Sequence, residues 1–344
     1  MTTKSSLKHA ASAFVVLAVL TATGARASEI GHYAGGFLNI RDFFVPEPGI
    51  YAGVYNYFYT TDRLNDANGN KVSSITIKPG SGQGQTLGVD VNVDMYVLAP
   101  TLIYVTDIKP LGIKYGALLS VNFANASLEG ALSTVTGEGG EASASSFNVG
   151  DTFVQPVWLG KTLDHWDFAL AYGFYAPTGK YNTETVTLPD GTPVKAESPD
   201  NIGFGFWTHQ FQGAGAWYPW ADKRLAVTVA LTYEINGKKD DFHLTPGENL
   251  TLNWGISQFL PLRKDNALLL EVGPAGYDTW QVTDDSGSAA VNPGVHDEVH
   301  AAGGQLGLVY LPWHTAMTFH GFGEFAVEDR FQGGSFGISI TKKF

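Results

Sequence analysis

Cysteine is absent from all 344 residues, which excludes a disulfide framework, a thiolate metal site and lipidation at an N-terminal cysteine. Charge is scarce too. Asp, Glu, Lys and Arg together make up 16% of the chain, with 21 basic residues against 33 acidic ones and a formal net charge of −12. An acidic chain without a basic patch is a poor ligand for nucleic acid, so none is expected as a partner. Helical periodicity and heptads are missing outside the amino-terminal leader. The mean hydropathy of −0.03 is too low for a bundle of transmembrane helices. It does fit a membrane barrel, whose strands give every second residue to lipid.

Glycine (41 residues) and aromatics (13%) are both plentiful, as suits a strand-rich protein with many turns and a large apolar outside. The chain opens with a leader. Lys4 and Lys8 form a positive region, residues 10–20 form an apolar run too short to span a bilayer, and Ala25-Arg26-Ala27 offers small residues for cleavage. The expected division is a signal peptide over 1–27, cut near Ala27, a non-barrel segment over 28–49 and a barrel over 50–344. The segment before the barrel cannot add a strand, because Gly35-Gly36 and Pro46 and Pro48 interrupt pairing. It is also too apolar to stay in water, with Tyr33, Phe37, Leu38, Ile40, Phe43, Phe44 and Val45. It is therefore expected to fold into or across the periplasmic mouth as a plug, carrying Arg41 and Asp42 inside. Asp90, Asp94, Glu271 and Glu324 are the candidate partners of Arg41 there.

From residue 50 onward, alternation of period two recurs with a rhythm of short turns and longer polar loops. The expected strands cover 50–60, 85–106, 111–128, 147–159, 166–176, 203–220, 225–235, 250–260, 267–282, 299–312, 317–327 and 333–344. The predicted fold class is all-β, a transmembrane antiparallel β-barrel of about 12 strands. Descending strands end at proline beside bulky residues, as in Tyr218-Pro219-Trp220 and Leu311-Pro312-Trp313. Proline belongs at strand ends, and tryptophan beside it fits an interfacial belt. The last strand ends on Phe344. That residue reads as the assembly signal of a closing strand, which makes the barrel assembly machinery and outer-membrane lipid the expected partners.

If aliphatic residues face lipid, the opposite faces carry Asp90, Asn92, Asp94, Lys114, Glu234, Glu271, His320 and Glu324. Charges at membrane depth are costly against lipid, so these are the candidate lumen-lining residues. Lys114 is expected to pair with Asp90, Asp94 or Glu324. The row Tyr51, Tyr55, Tyr57, Tyr59 is left open between lumen and lipid, since Ile50, Val54 and Phe58 make its other face apolar as well. Three motifs suggest chemistry without sustaining it. Gly333-Gly334-Ser335-Phe336-Gly337 matches G-x-S-x-G but has no room after it for the partners of a nucleophile elbow. His296-Asp297-Glu298-Val299-His300 could align His296, Glu298 and His300 on one strand face toward zinc, although a solvated strand start is the simpler reading. Asp66-Ala67-Asn68-Gly69-Asn70 has the oxygen-rich front of a calcium loop but a misplaced glycine, and reads as a tight turn. No cofactor, no metal and no enzymatic activity are expected.

Several spaced words then point to a family: Gly31-His32-Tyr33, Asn39-Ile40-Arg41-Asp42-Phe43, Pro46-Glu47-Pro48-Gly49, Tyr55-Asn56-Tyr57, Asp62 through Asn70, and Val97-Leu98-Ala99-Pro100. Together they resemble the outer-membrane family associated with meta-cleavage phenol degradation gene clusters. The resemblance implies an outer-membrane barrel that helps take up aromatic or other hydrophobic carbon sources, with no catalytic residues. The expected function is an outer-membrane channel or transporter for small hydrophobic compounds, aromatic ones included. The alternatives are a diffusion pore for small polar or charged solutes and a non-conducting structural or adhesive barrel.

Overall fold

The computed structural model describes residues 30–77, 85–108, 110–133, 139–187, 193–198, 201–239, 241–290 and 292–344. The strands in chain order are β1 (Gly49–Thr61), β2 (Ser74–Ile77), β3 (Gln85–Val105), β4 (Ile113–Ser120), β5 (Phe123–Ser133), β6 (Gly139–Val149), β7 (Thr152–Thr162), β8 (Trp166–Ala176) and β9 (Thr183–Thr187). They continue as β10 (Pro193–Glu197), β11 (Thr208–Trp217), β12 (Leu225–Asn236), β13 (Asn249–Pro261), β14 (Leu268–Gln281), β15 (Glu298–Tyr310), β16 (Thr315–Glu328) and β17 (Gly334–Lys343). Every ladder is antiparallel, and β1 pairs with both β17 and β3. The sheet therefore closes on itself and has no edge in the wall. β4 and β5 pair in turn with β3 as one interrupted stave, and β6 and β7 form another, so the closed wall has 12 staves.

The alternation of each strand fixes its two faces. In β12, Ala226, Thr228, Ala230, Thr232 and Glu234 are buried inward while Val229 and Leu231 are exposed. Outward residues such as Leu170, 65% exposed, and Ile340, 47% exposed, would have no place on a water-soluble surface when repeated around a whole wall. A lipid belt accounts for them. Short turns join the staves at one rim, and the longer connections lie at the other; by the usual arrangement of such barrels these are the periplasmic and extracellular ends.

The strand positions expected from sequence match the wall, with informative differences at the extracellular end. The stretch 111–128, expected as one strand, is broken at Val121-Asn122. Much of the expected loop 130–146 is strand, since β5 and β6 pair from Phe123↔Val149 up to Ser133↔Gly139. These segments rise above the membrane, where backbone pairing needs no lipid-facing row and small residues such as Ser145 and Ser146 suffice. The expected loop over 177–200 contains the hairpin β9–β10. That hairpin is tied to the β12–β13 connection by Lys195–Asp241 at 2.8 Å and Lys239–Glu197 at 2.5 Å. Before β11, residues 203–207 are not strand. Gly205 there has φ +75°, and a Cβ would sit 2.6 Å from the Tyr181 ring.

The seam between β1 and β17 runs from Tyr51↔Lys343 to Thr60↔Gly334, and the Phe344 amide donates to the Ile50 carbonyl at 2.9 Å. Phe344 itself is exposed, at the periplasmic end of the outward row that includes Phe336 and Ile340. Replacing Phe344 with Lys is expected to lower the amount of heat-modifiable barrel in the outer membrane by about threefold or more. Lys195→Ala, on the exposed hairpin, should leave that amount unchanged. Equal levels of the two variants on unboiled detergent gels would show that the terminal residue has no part in closure.

Candidate solute path and the segment that fills it

Residues 30–48 contain no strand or helix, only turns such as Asp42 N to Asn39 O at 3.0 Å. They run through the bore of the barrel along its long axis. Arg41 lies beside the periplasmic turn between β11 and β12, whereas His32 lies at the extracellular ends of β7, β8 and β11. The segment expected to fold into or across the periplasmic mouth enters the bore and extends beyond that mouth to the opposite rim. The wall meets this irregular backbone with side-chain hydrogen bonds, because a coil inside a barrel has no ladder to satisfy it. Glu234 accepts the Tyr33 amide at 3.0 Å, Asn253 the Gly36 amide at 3.1 Å, and Gln305 the Ile40 amide at 2.8 Å.

Two glycines allow the closest approach. A Cβ on Gly35 would lie 2.4 Å from the Tyr277 ring. One on Gly36 would lie 2.8 Å from Phe322, and Gly36 also has φ +71°. Side chains of any size would lift the segment off β14 and β16. Apolar contact does the rest. Ile40 is buried with Ala275, Tyr277, Val299, Ala301 and Phe322, and Val45 with Ile103, Val105, Trp158, Ala169 and Ala171. The apolar residues of the segment therefore do line the inner wall.

At the lower end, Arg41 is held from several sides. Its Nε donates to Ser257 Oγ at 2.7 Å and Glu271 Oε1 at 3.1 Å, and its terminal nitrogens donate to the carbonyls of Lys223 and Arg224 at 3.1 and 3.0 Å. The guanidinium also sits 4.1 Å from the Phe259 ring centroid. Of the four candidate partners named from sequence, the structure pairs Arg41 with Glu271. Asp42 accepts from the Asn39 amide (3.2 Å), the Asn39 side chain (2.7 Å) and the Tyr55 hydroxyl (3.2 Å).

Glu234, Glu271, His320 and Glu324 face the bore. His320 Nδ1 bonds Asn39 Oδ1 at 3.1 Å, and Glu324 accepts the hydroxyls of Tyr59 and Tyr277 at 2.8 and 2.9 Å. Lys114 also faces inward, but its Nζ meets Glu47 Oε1 at 2.6 Å instead of Asp90, Asp94 or Glu324. Asp90, Asn92 and Asp94 require a correction. They share the outward row of β3 with Leu102 and Tyr104 and are exposed, while Met95 pairs with inward-facing Tyr59. At 21 residues β3 is about twice the length a tilted strand needs to cross the membrane. Its upper half therefore stands in water, where outward carboxylates cost nothing. The tyrosine row left open by the sequence points into the bore, with Tyr55 and Tyr57 buried beside Phe37.

The three chemical motifs resolve as structure. Asp66 accepts the Asn68 and Asn70 amides at 2.9 Å each, closing its own turn. His296 pairs with Asp284, while His300 lies between Asp278 (2.6 Å) and Glu298 (2.7 Å). Among the described residues no cluster is arranged to hold a metal ion. Ser335 sits on the inward face of β17 with no strand-to-helix turn.

A closed single-chain barrel with an apolar outer belt, short turns at one rim and a polar, segment-filled bore has the fold of an outer-membrane β-barrel. The chain belongs to the family described as "putative MetA-pathway of phenol degradation", which matches residues 61–340. Among solved structures it is similar to the COG4313 outer membrane channel from Pseudomonas putida F1, with 16% identity, a TM-score of 0.57, and 89% of this chain and 100% of that one covered. Weaker likeness extends to the beta domain of the Bordetella autotransporter BrkA (10% identity, TM-score 0.42, 85% and 99% covered) and to the P. putida toluene transporter TodX (10%, 0.37, 93% and 97%). No curated protein matches the chain in sequence.

Arg41→Ala leaves Glu271 buried without its cation, a loss on the order of 3 kcal/mol. The variant is expected to loosen residues 30–48 and to raise single-channel conductance in planar bilayers. Arg41→Lys should not restore the original level, because one ammonium cannot reach all four acceptors. Unchanged conductance in a folded barrel lacking residues 30–48 would show that the segment does not obstruct the bore.

Proposed function

We propose that this protein is an outer-membrane channel that admits small hydrophobic compounds, aromatic ones included, and that it reaches the membrane after removal of the leader near Ala27. The observation that carries the reading is an apolar patch on the inner wall, beside the side chains that grip the coil. Staves β12 to β17 offer Glu234, Asn253, Ser257, Glu271, Gln305, His320 and Ser339, which grip residues 30–48 by hydrogen bonds or flank them. Staves β3, β4, β7 and β8 offer Ile103, Val105, Leu118, Trp158, Ala169 and Ala171, against which the segment lays Phe44 and Val45. An apolar patch beside the coil gives a hydrophobic molecule a surface to follow, whereas a polar diffusion pore would keep water along its whole lining. The family's association with phenol degradation supports an aromatic solute, and the similar Pseudomonas protein is an outer membrane channel.

The expected outcome is selective uptake. Gram-negative cells with the protein should accumulate labelled toluene several-fold faster than cells without it, and proteoliposomes should not swell in arabinose. Porin-like swelling in the sugar, with toluene uptake unchanged, would replace this reading with a polar diffusion pore.

A further inference from the structure

At the extracellular end of the bore the segment places a ring in a slot made of other rings. The His32 imidazole stacks on Tyr175 with centroids 4.7 Å apart and planes at 20°. Phe204 lies 4.6 Å and Phe206 5.0 Å away, the latter edge-on. The polar edge of the imidazole is equally defined: Nε2 is 2.9 Å from Asp151 Oδ2, and Nδ1 is 2.8 Å from Thr208 Oγ1. The His32 side chain is only 2% exposed.

The walls of this slot are also held by contacts other than those to His32. Tyr175 belongs to β8, Thr208 opens β11, and Phe153 of β7 backs Tyr175 at 4.6 Å. The Asp151 carboxylate is fixed by the amides of Gly179 and Phe204, both at 2.9 Å, so its remaining lone pair stays aimed at the ring edge. The occupant, by contrast, belongs to a coil held by non-covalent contacts alone. A planar six-atom ring with one hydroxyl donor presents the same features as the imidazole: a face for Tyr175 and an edge donor for Asp151.

We infer that His32 occupies, in the closed state, a binding site for monocyclic phenols, and that a phenol taking its place releases the upper end of the segment. This rests on the channel reading, because the phenol must arrive from outside. The incoming hydroxyl donates to Asp151 Oδ2 as the Nε2–H does, and the Thr208 hydroxyl, no longer facing Nδ1, is free to donate to Asn236 Oδ1, 2.7 Å away. A hydrocarbon ring without a donor would strip the buried carboxylate of its side-chain partner, so the slot should discriminate phenol from toluene. Competition between ligand and plug for one slot also makes affinity depend on how often the slot is vacant.

The test is calorimetric titration of the detergent-solubilised mature protein with phenol and with toluene, with folding checked by heat-modifiability. Wild type should bind phenol about tenfold more tightly than toluene. His32→Ala, which empties the slot, should tighten phenol binding by about tenfold. Asp151→Asn should erase most of the preference over toluene. In planar bilayers phenol should raise wild-type conductance but leave that of His32→Ala, already high, unchanged. If His32→Ala does not assemble, Tyr175→Leu decides in its place, and must lose phenol binding. Phenol affinity unaltered in His32→Ala, or unaltered in Tyr175→Leu, would overturn the inference. Toluene uptake by cells combined with an unresponsive His32→Ala leaves the channel reading standing without the slot. A phenol-binding slot in a barrel that brings neither solute into cells would do the reverse.

Discussion

Closure of the wall through the β1–β17 ladder governs the rest of the molecule. Once the sheet has no edge, each strand has one face toward lipid and one toward a narrow interior, and no side chain can change sides without a bulge. The interior then receives a row of residues from every stave, too polar to pack on itself. The coil of residues 30–48 completes that interior. It contributes Ile40 and Val45 to the apolar clusters, and its amides meet the side-chain oxygens of Glu234, Asn253 and Gln305. Wall and coil satisfy each other; either one alone would leave buried polar groups unpaired.

The coil is attached more firmly at one end than along its length. Arg41 reaches side chains of β13 and β14 and two carbonyls of a periplasmic turn, and it stands only eight positions from the start of β1. Between Arg41 and His32 the backbone is met by one side-chain bond at a time, at Ile40, Gly36 and Tyr33, and by the bare faces of Gly35 and Gly36. Were the upper end displaced, Arg41 would still hold the lower end, so the segment need not leave the barrel.

The number and direction of the staves were legible in the sequence because lipid enforces period-two alternation across the membrane. That enforcement ends at the headgroups. In β3 the apolar row passes from outward Leu102 and Tyr104 to inward Val93 and Met95 with no bulge to announce it. The rule that apolar residues face out therefore assigned Asp90, Asn92 and Asp94 to the wrong side. The identity of Glu234, Glu271, His320 and Glu324 as inward residues was legible, since those positions lie at membrane depth. The aromatic slot was not. His32, Asp151 and Thr208 are separated by more than fifty positions from one another, and each sits outside or at the very start of a strand, where periodicity carries no signal.

The outward charges on the upper wall also act as a gauge. On β3 the belt begins below Asp94, and nearly opposite on β14 it begins below Asp278, which His300 and Trp254 cover on the outer surface. From either carboxylate to the periplasmic turn is about ten residues, the span of one tilted strand through a thin outer membrane. The barrel is thus matched to one bilayer thickness on two sides at once, and a tilt would carry one carboxylate toward the acyl region. In a thicker membrane both acidic collars would be drawn into the acyl region together, and the mismatch would have to be met by thinning the surrounding lipid.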